Sequence, residues 1–189
     1  MNAWLTIATA ALGSSLFASV LTAYLSHLLE VRRERGSEQR SRDQEATVSA
    51  LLLADALEGY ALVCADRASE ALSFLSSGGK VGEQIANVPA LAPYSAEVYW
   101  QSLGADIAAE AIAIRREVDI ASRKLSGLWN IGPDEALDEA PKATLRLGMR
   151  AWQGAQKVRS GFKLPALDRS KLAWDYIQTL EEALAKGGS

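Results

Sequence analysis

The sequence predicts an all-α membrane protein: an N-terminal transmembrane helix, a charged helical stalk and an antiparallel bundle of about four helices. Three observations carry this. Residues 2–29 contain no Lys, Arg, Asp or Glu. The remaining chain shows apolar residues in steps of three and four, the spacing of one helix face. No segment alternates with period two for long enough to argue a strand. The domain division that follows is 1–29 as anchor, 30–45 as juxtamembrane stalk and 46–189 as a helical domain.

The anchor comes first. As a helix at ~1.5 Å per residue, the uncharged run from Asn2 to Leu29 spans ~42 Å, more than the ~30 Å hydrocarbon core. A cleaved signal peptide is the main rival, but no basic residue precedes Trp4, the run is long and no convincing A-x-A site follows. A helix buried in a soluble assembly is the third reading, and seven Ser and Thr lower the hydropathy of the run. Arg32, Arg33, Arg35, Arg40 and Arg42 follow the span and none precedes it, so the positive-inside rule places the C-terminal domain in the cytoplasm of the inner (plasma) membrane. Trp4 and Tyr24 suit the two interfaces. A lone Cys64 agrees with a reducing compartment. Small and hydroxyl residues, among them Ala11, Ser15, Ser19 and Thr22, recur along one face of the span and suit close packing on another span, whether a second copy or a partner. The plainer account is an Ala- and Ser-rich anchor with no partner. His27, the only imidazole in the chain, is read as an interfacial spacer, since the span offers no other ionisable group to take its proton.

Residues 30–45 are charged throughout and suit a solvated helical stalk, with Gly36 and Ser37 as its weak point; a flexible linker is the competing reading. From about Asp43 to Ser77 one seam joins Leu53, Leu57, Tyr60, Cys64, Ala71 and Phe74. Residues 78–95 hold two prolines and three glycines and read as a long loop, whose Ile85, Val88, Leu91 and Tyr94 suggest that it packs on the bundle. Ile107, Ala111, Ile114, Val118, Ala121, Leu125 and Leu128 define the clearest amphipathic helix, stopped by Asn130, Gly132 and Pro133. Asp134–Ala140 is expected as an acidic turn, with Pro141 opening the next helix and that helix running to about Arg159. Asp168 is expected to cap a last helix with Leu172, Tyr176, Ile177, Leu180 and Leu184 on one face.

Composition narrows the chemistry. One His and one Cys leave neither a zinc set, a carboxylate-bridged di-iron site with its Glu-x-x-His pairs, nor a Ser-His-Asp or Cys-His arrangement. No metal or cofactor is therefore expected, and no enzyme activity, although carboxylates alone can in principle do acid–base work. Gly79-Lys80 lacks the remaining glycine and hydroxyl of a phosphate-binding loop and follows a helix rather than a strand. Cys64 lies on the apolar seam of its helix and reads as an inert core residue. Trp100, Trp129, Trp152 and Trp174 are spread one to an element and read as packing.

One charge asymmetry stands out. Between Lys142 and Lys171 there are eight bases and one acid. Lys142, Arg146, Arg150, Lys157 and Arg159 form a candidate contact for anionic lipid or a protein partner. Pairing with acidic faces of neighbouring helices is the plainer account, and a net charge of -3 disfavours nucleic acid. Arg outnumbers Lys 13 to 7 and Ala is abundant, which suggests a bacterial source. The function these features suggest is a non-catalytic, membrane-anchored interaction or scaffold module, with the bilayer and a protein partner or second copy as its contacts. The alternative is a signalling subunit that transmits a change through span and stalk.

Overall fold

A computed structural model describes residues 3–168 and 174–187, with side chains from Gln39 onward except at 183, 184, 186 and 187. The protein is all-helical, with no strand among the described residues. Among the described residues five helices follow in chain order: α1 (Ala3–Ser76), α2 (Trp100–Leu103), α3 (Ala105–Ile131), α4 (Pro133–Gly161) and α5 (Tyr176–Gly187). The chain divides into two units, Met1–Gln44 and Glu45–Ser189. The first contains the N-terminal part of α1. The side chains of the transmembrane packing candidates Ala11, Ser15, Ser19 and Thr22, and of His27, lie outside the described residues.

One helical stretch among the described residues, Gln39–Ser76 of α1, is long and apolar enough to cross a membrane. Its composition has a second explanation, because 56% of its apolar window is buried inside the protein. Leu53, Leu57, Tyr60, Cys64 and Ala71 from the α1 seam all lie in the core, joined by Ala50, Ala54, Ala61, Ala65 and Ala68. Alanines at these positions keep the buried face of α1 narrow, so neighbouring helices approach closely.

The core takes Ile107, Ala111, Ile114, Val118 and Leu125 from α3, and Ala140, Leu145, Leu147, Ala151, Trp152, Ala155 and Val158 from α4. Tyr176, Ile177 and Leu180 complete it from α5. Two glycines of α4 set the closest approaches. A Cβ on Gly148 would lie 2.7 Å from Cys64 Cβ, and one on Gly154 would lie 2.6 Å from Ile114 Cδ1. Both positions demand the absence of a side chain.

The loop after α1 is held at both ends. Gly82, at φ +87, presses its backbone so close to α1 that a Cβ would meet the Glu70 carbonyl oxygen at 2.2 Å. Ile85 and Val88 are buried and Leu91 and Tyr94 pack against the core. The Tyr60 hydroxyl donates to the Pro89 carbonyl at 3.1 Å, and the Tyr94 hydroxyl to the Ala111 carbonyl at 2.9 Å.

Two boundaries differ from the sequence reading. The helix expected to open at Pro141 opens at Pro133, so the anticipated acidic turn is its first two turns. Gly132 is extended, Pro133 occupies the first turn where its missing N–H costs nothing, and Asp134 and Glu135 face the positive end of the helix. Pro141 sits inside α4, buried, and removes one hydrogen bond to the preceding turn. The last helix begins at Tyr176, and the capping residue is Asp175 rather than Asp168: its carboxylate accepts from the Gln178 N–H at 3.1 Å. Leu172 lies outside the described residues, as does the side chain of Leu184.

Candidate docking surface

The basic residues singled out in the sequence are brought together on α4, and each meets an acid of the same domain. Lys142 pairs with Asp138 at 2.7 Å and Arg146 with Glu139 at 2.6 Å, and Lys124 of α3 approaches Glu139 at 3.5 Å. Arg150 donates to Glu110 and, at 3.4 Å, to Glu117, while Lys157 reaches the second oxygen of Glu110 at 3.4 Å. Arg159 forms a two-pronged bond to Glu58 of α1, at 2.6 and 2.8 Å, and donates a third bond to the Pro165 carbonyl. Glu58 is buried and Arg159 half-buried, their side chains 7% and 11% exposed.

The electrostatics follow the geometry. The hydrogen bond from Arg150 holds the Glu110 carboxyl below the usual carboxylate range against the opposing effect of burial. At Glu139 burial pushes upward, but Arg146 and Lys124 together bring the carboxyl below its ordinary value. The Glu58 bond raises the Arg159 guanidinium, as the Glu110 bond raises Arg150. Arg150, Lys157 and Arg159 tie α4 to α3 and α1, whereas the Lys142–Asp138 and Arg146–Glu139 pairs lie within α4, and Lys142, Arg146 and Lys157 keep more than half of their side chains exposed.

Unpaired charge is found on two other faces. On α3 the side opposite the core carries Ile112, Arg116, Ile120 and Arg123, and the two isoleucines are 53% and 58% exposed. Arg116 and Arg123 make no ion pair among the described residues, and Asp119 stands between them. Arg115, at the edge of this face, is held down: it donates to the Ala92 carbonyl at 2.6 Å and lies over the Tyr94 ring at 5.0 Å. On α1 the side opposite the core carries Val48, Leu51, Asp55, Gly59, Val63 and Asp66, with Val48, Leu51 and Val63 all more than 40% exposed. Asp55 and Asp66 make no ion pair among the described residues, and Asp55 lies near enough to the already paired Arg159 to act on it through space.

A recess of about 210 Å³ lies where the end of α1, the loop and the start of α4 meet, lined by Phe74, Leu75, Ile85, Leu137 and Pro141 with Asp134 and Asp138 at its edge. It is smaller than the ~300 Å³ at which ligand pockets begin, and admits a side chain rather than a cofactor. No group of acidic, His and Cys side chains suited to a metal occurs among the described residues. Cys64 is fully buried and burial pushes its thiol up to about 12, so it is unreactive at neutral pH.

The outward faces lie away from the densest run of bases, which is the strongest charge signal in the sequence. A signal for them was nonetheless there: α3 shows apolar residues on two opposite sides, at 107/111/114/118/125 and at 112/120, and one domain core covers only one of them. Comparison with family models, curated proteins and solved structures finds no match to this chain.

Proposed function

We propose that this chain is a single-pass, membrane-anchored helical interaction module, non-catalytic, which holds its C-terminal domain at the cytoplasmic side of the inner membrane. In this reading residues 1–29 are the anchor, 30–45 a stalk and 46–189 an antiparallel bundle of about four helices. The observation that carries it is the contrast between α4 and the outward faces of α1 and α3. The bases of α4 each pair with an acid of the domain, while two helices present to water isoleucine, valine and leucine together with charges that make no such pair. An apolar face of this kind suits contact with another macromolecule. The 28 uncharged residues and the arginines after them support the anchor and its orientation.

Protease protection of a C-terminal tag, before and after the inner membrane is opened, tests the topology together with an alkaline carbonate wash. Protection until opening, with resistance to the wash, is the expected result. A tag accessible from outside, or a protein that washes off, overturns it.

One observation favours a second reading in which the chain also transmits a signal. Helix α1 carries residues of both units, from Ala3 to Ser76, the continuity of chain that such a reading needs. Arg35→Pro would break that helix. Output lost with localisation intact supports transmission; unchanged output opposes it.

A further inference from the structure

We infer that the outward face of α1 on one copy of this chain docks on the outward face of α3 on another, so that the interaction module's partner includes a second copy of itself. This rests on the reading of the chain as a membrane-anchored interaction module. The two faces are complementary in charge and in profile. On α1, Asp55 and Asp66 flank Gly59 and Val63. On α3, Arg116 and Arg123 flank Ile120, with one acid, Asp119, between the two bases. Laid together, Ile120 of one copy sits at Gly59 of the other while the arginines reach toward the two aspartates.

The glycines are the second observation. Gly59 and Gly127 lie in helix interiors on these faces, each open: beyond its own stretch of helix, no described atom lies within 4 Å of where a Cβ would stand, as is also true of Gly161 at the end of α4. An exposed interior glycine costs a helix about 1 kcal/mol relative to alanine. Elsewhere in the domain, at Gly148 and Gly154, glycine is explained by an atom of a neighbouring helix less than 3 Å from the missing Cβ. At Gly59 and Gly127 a second copy would supply that neighbour.

An anionic bilayer fits less well, because it attracts the α3 face and repels Asp55 and Asp66 on α1. A second copy satisfies both faces at once. Because the two faces differ, the contact is heterologous and repeats from copy to copy into rows or rings. A contact about 27 Å long and one helix wide, roughly 10 Å, is small beside the ~800 Å² per side of a stable soluble interface. It therefore draws on the raised effective concentration of chains tethered in one membrane.

The test uses two differently tagged full-length copies in membranes, one carrying Val63→Cys and the other Ile120→Cys, with a short bis-maleimide. Cys64 is buried and stays silent. The mixed pair is expected to yield at least fivefold more cross-linked dimer than either variant with itself. Arg116→Glu with Arg123→Glu on the α3 partner should lower that yield at least fivefold, and Asp55→Arg with Asp66→Arg on the α1 partner should restore it. Cross-links from both positions to a different polypeptide, and none between copies, overturn self-docking while the interaction module stands. If both cysteines react with free maleimide and neither cross-links to anything, both readings fall.

Discussion

At the scale of the residue, the Glu58–Arg159 pair is the most consequential contact in the domain. A charge buried with its partner is tolerated, whereas one left alone is not, so Arg159→Met or Glu58→Gln should each cost about 3–5 kcal/mol in urea unfolding. Replacing both with apolar residues should recover most of that loss. Gly148→Ala is expected to cost about 1–3 kcal/mol, since its Cβ would fall 2.7 Å from that of Cys64 and neither backbone can yield cheaply. Cys64 also fixes an alkaline limit. Its thiol is raised from 9.0 to about 12 in the folded protein, so between those values the unfolded chain loses a proton that the folded chain keeps. Stability should fall as the pH rises through that window, and Cys64→Ala should flatten the decline in denaturation curves measured from pH 8 to 11. At the other end, Glu110 and Glu139 lie below their ordinary 4.5, so the stability they contribute is present above that pH and is lost as the pH falls below it.

At the scale of the element, what could be read in advance was whatever a single helix face decides. The seam of α1 and the stripe of α3 are legible because burial repeats at 3.6 residues, and the packing of Ile85 and Val88 because an apolar loop residue needs a cover. Helix starts were less legible. Pro133 and Pro141 are equivalent as sequence signals; Gly132, extended beside the first, selects it. Asp168 and Asp175 both precede apolar positions; α5 begins at Tyr176, with the Asp175 carboxylate accepting from the Gln178 N–H. Asp175→Ala should accordingly loosen α5, costing about 1 kcal/mol and raising hydrogen exchange there first. Ion pairing between α4 and its neighbours was offered by the sequence as one option of several. Choosing among those options needs the distances from Arg150 to Glu110 and from Arg159 to Glu58, which span 40 and 101 residues. The outward faces of α1 and α3 make the converse prediction: Ile112→Glu and Ile120→Glu should leave thermal unfolding within about 0.5 kcal/mol of the parent, because both side chains already stand in water.

At the scale of the whole molecule, the domain has an unusual division of charge. The formal net charge of the chain is -3, and the bases of α4 from Lys142 to Arg159 each have an acid of the domain beside them. Binding of the full chain to anionic vesicles, if reconstituted with the domain outward, is expected to change by less than twofold on reversing Lys142 and Lys157 to Glu. A loss of tenfold or more would return the α4 bases to the surface as a lipid contact.

The order of the elements along the chain has a consequence for synthesis. Helix α1 leaves the ribosome first, and the helices that cover its seam are encoded far downstream, Arg159 following Glu58 by 101 residues. At about 5–20 residues per second, that apolar seam waits about 5–20 s for its cover. During this interval Leu53, Leu57 and Cys64 are open to whatever apolar surface lies nearby, including neighbouring nascent chains on the same messenger. A holding chaperone, or early engagement of the N-terminal segment by the insertion machinery, would have its greatest effect on yield in that interval and little effect once α5 has closed over Gly148.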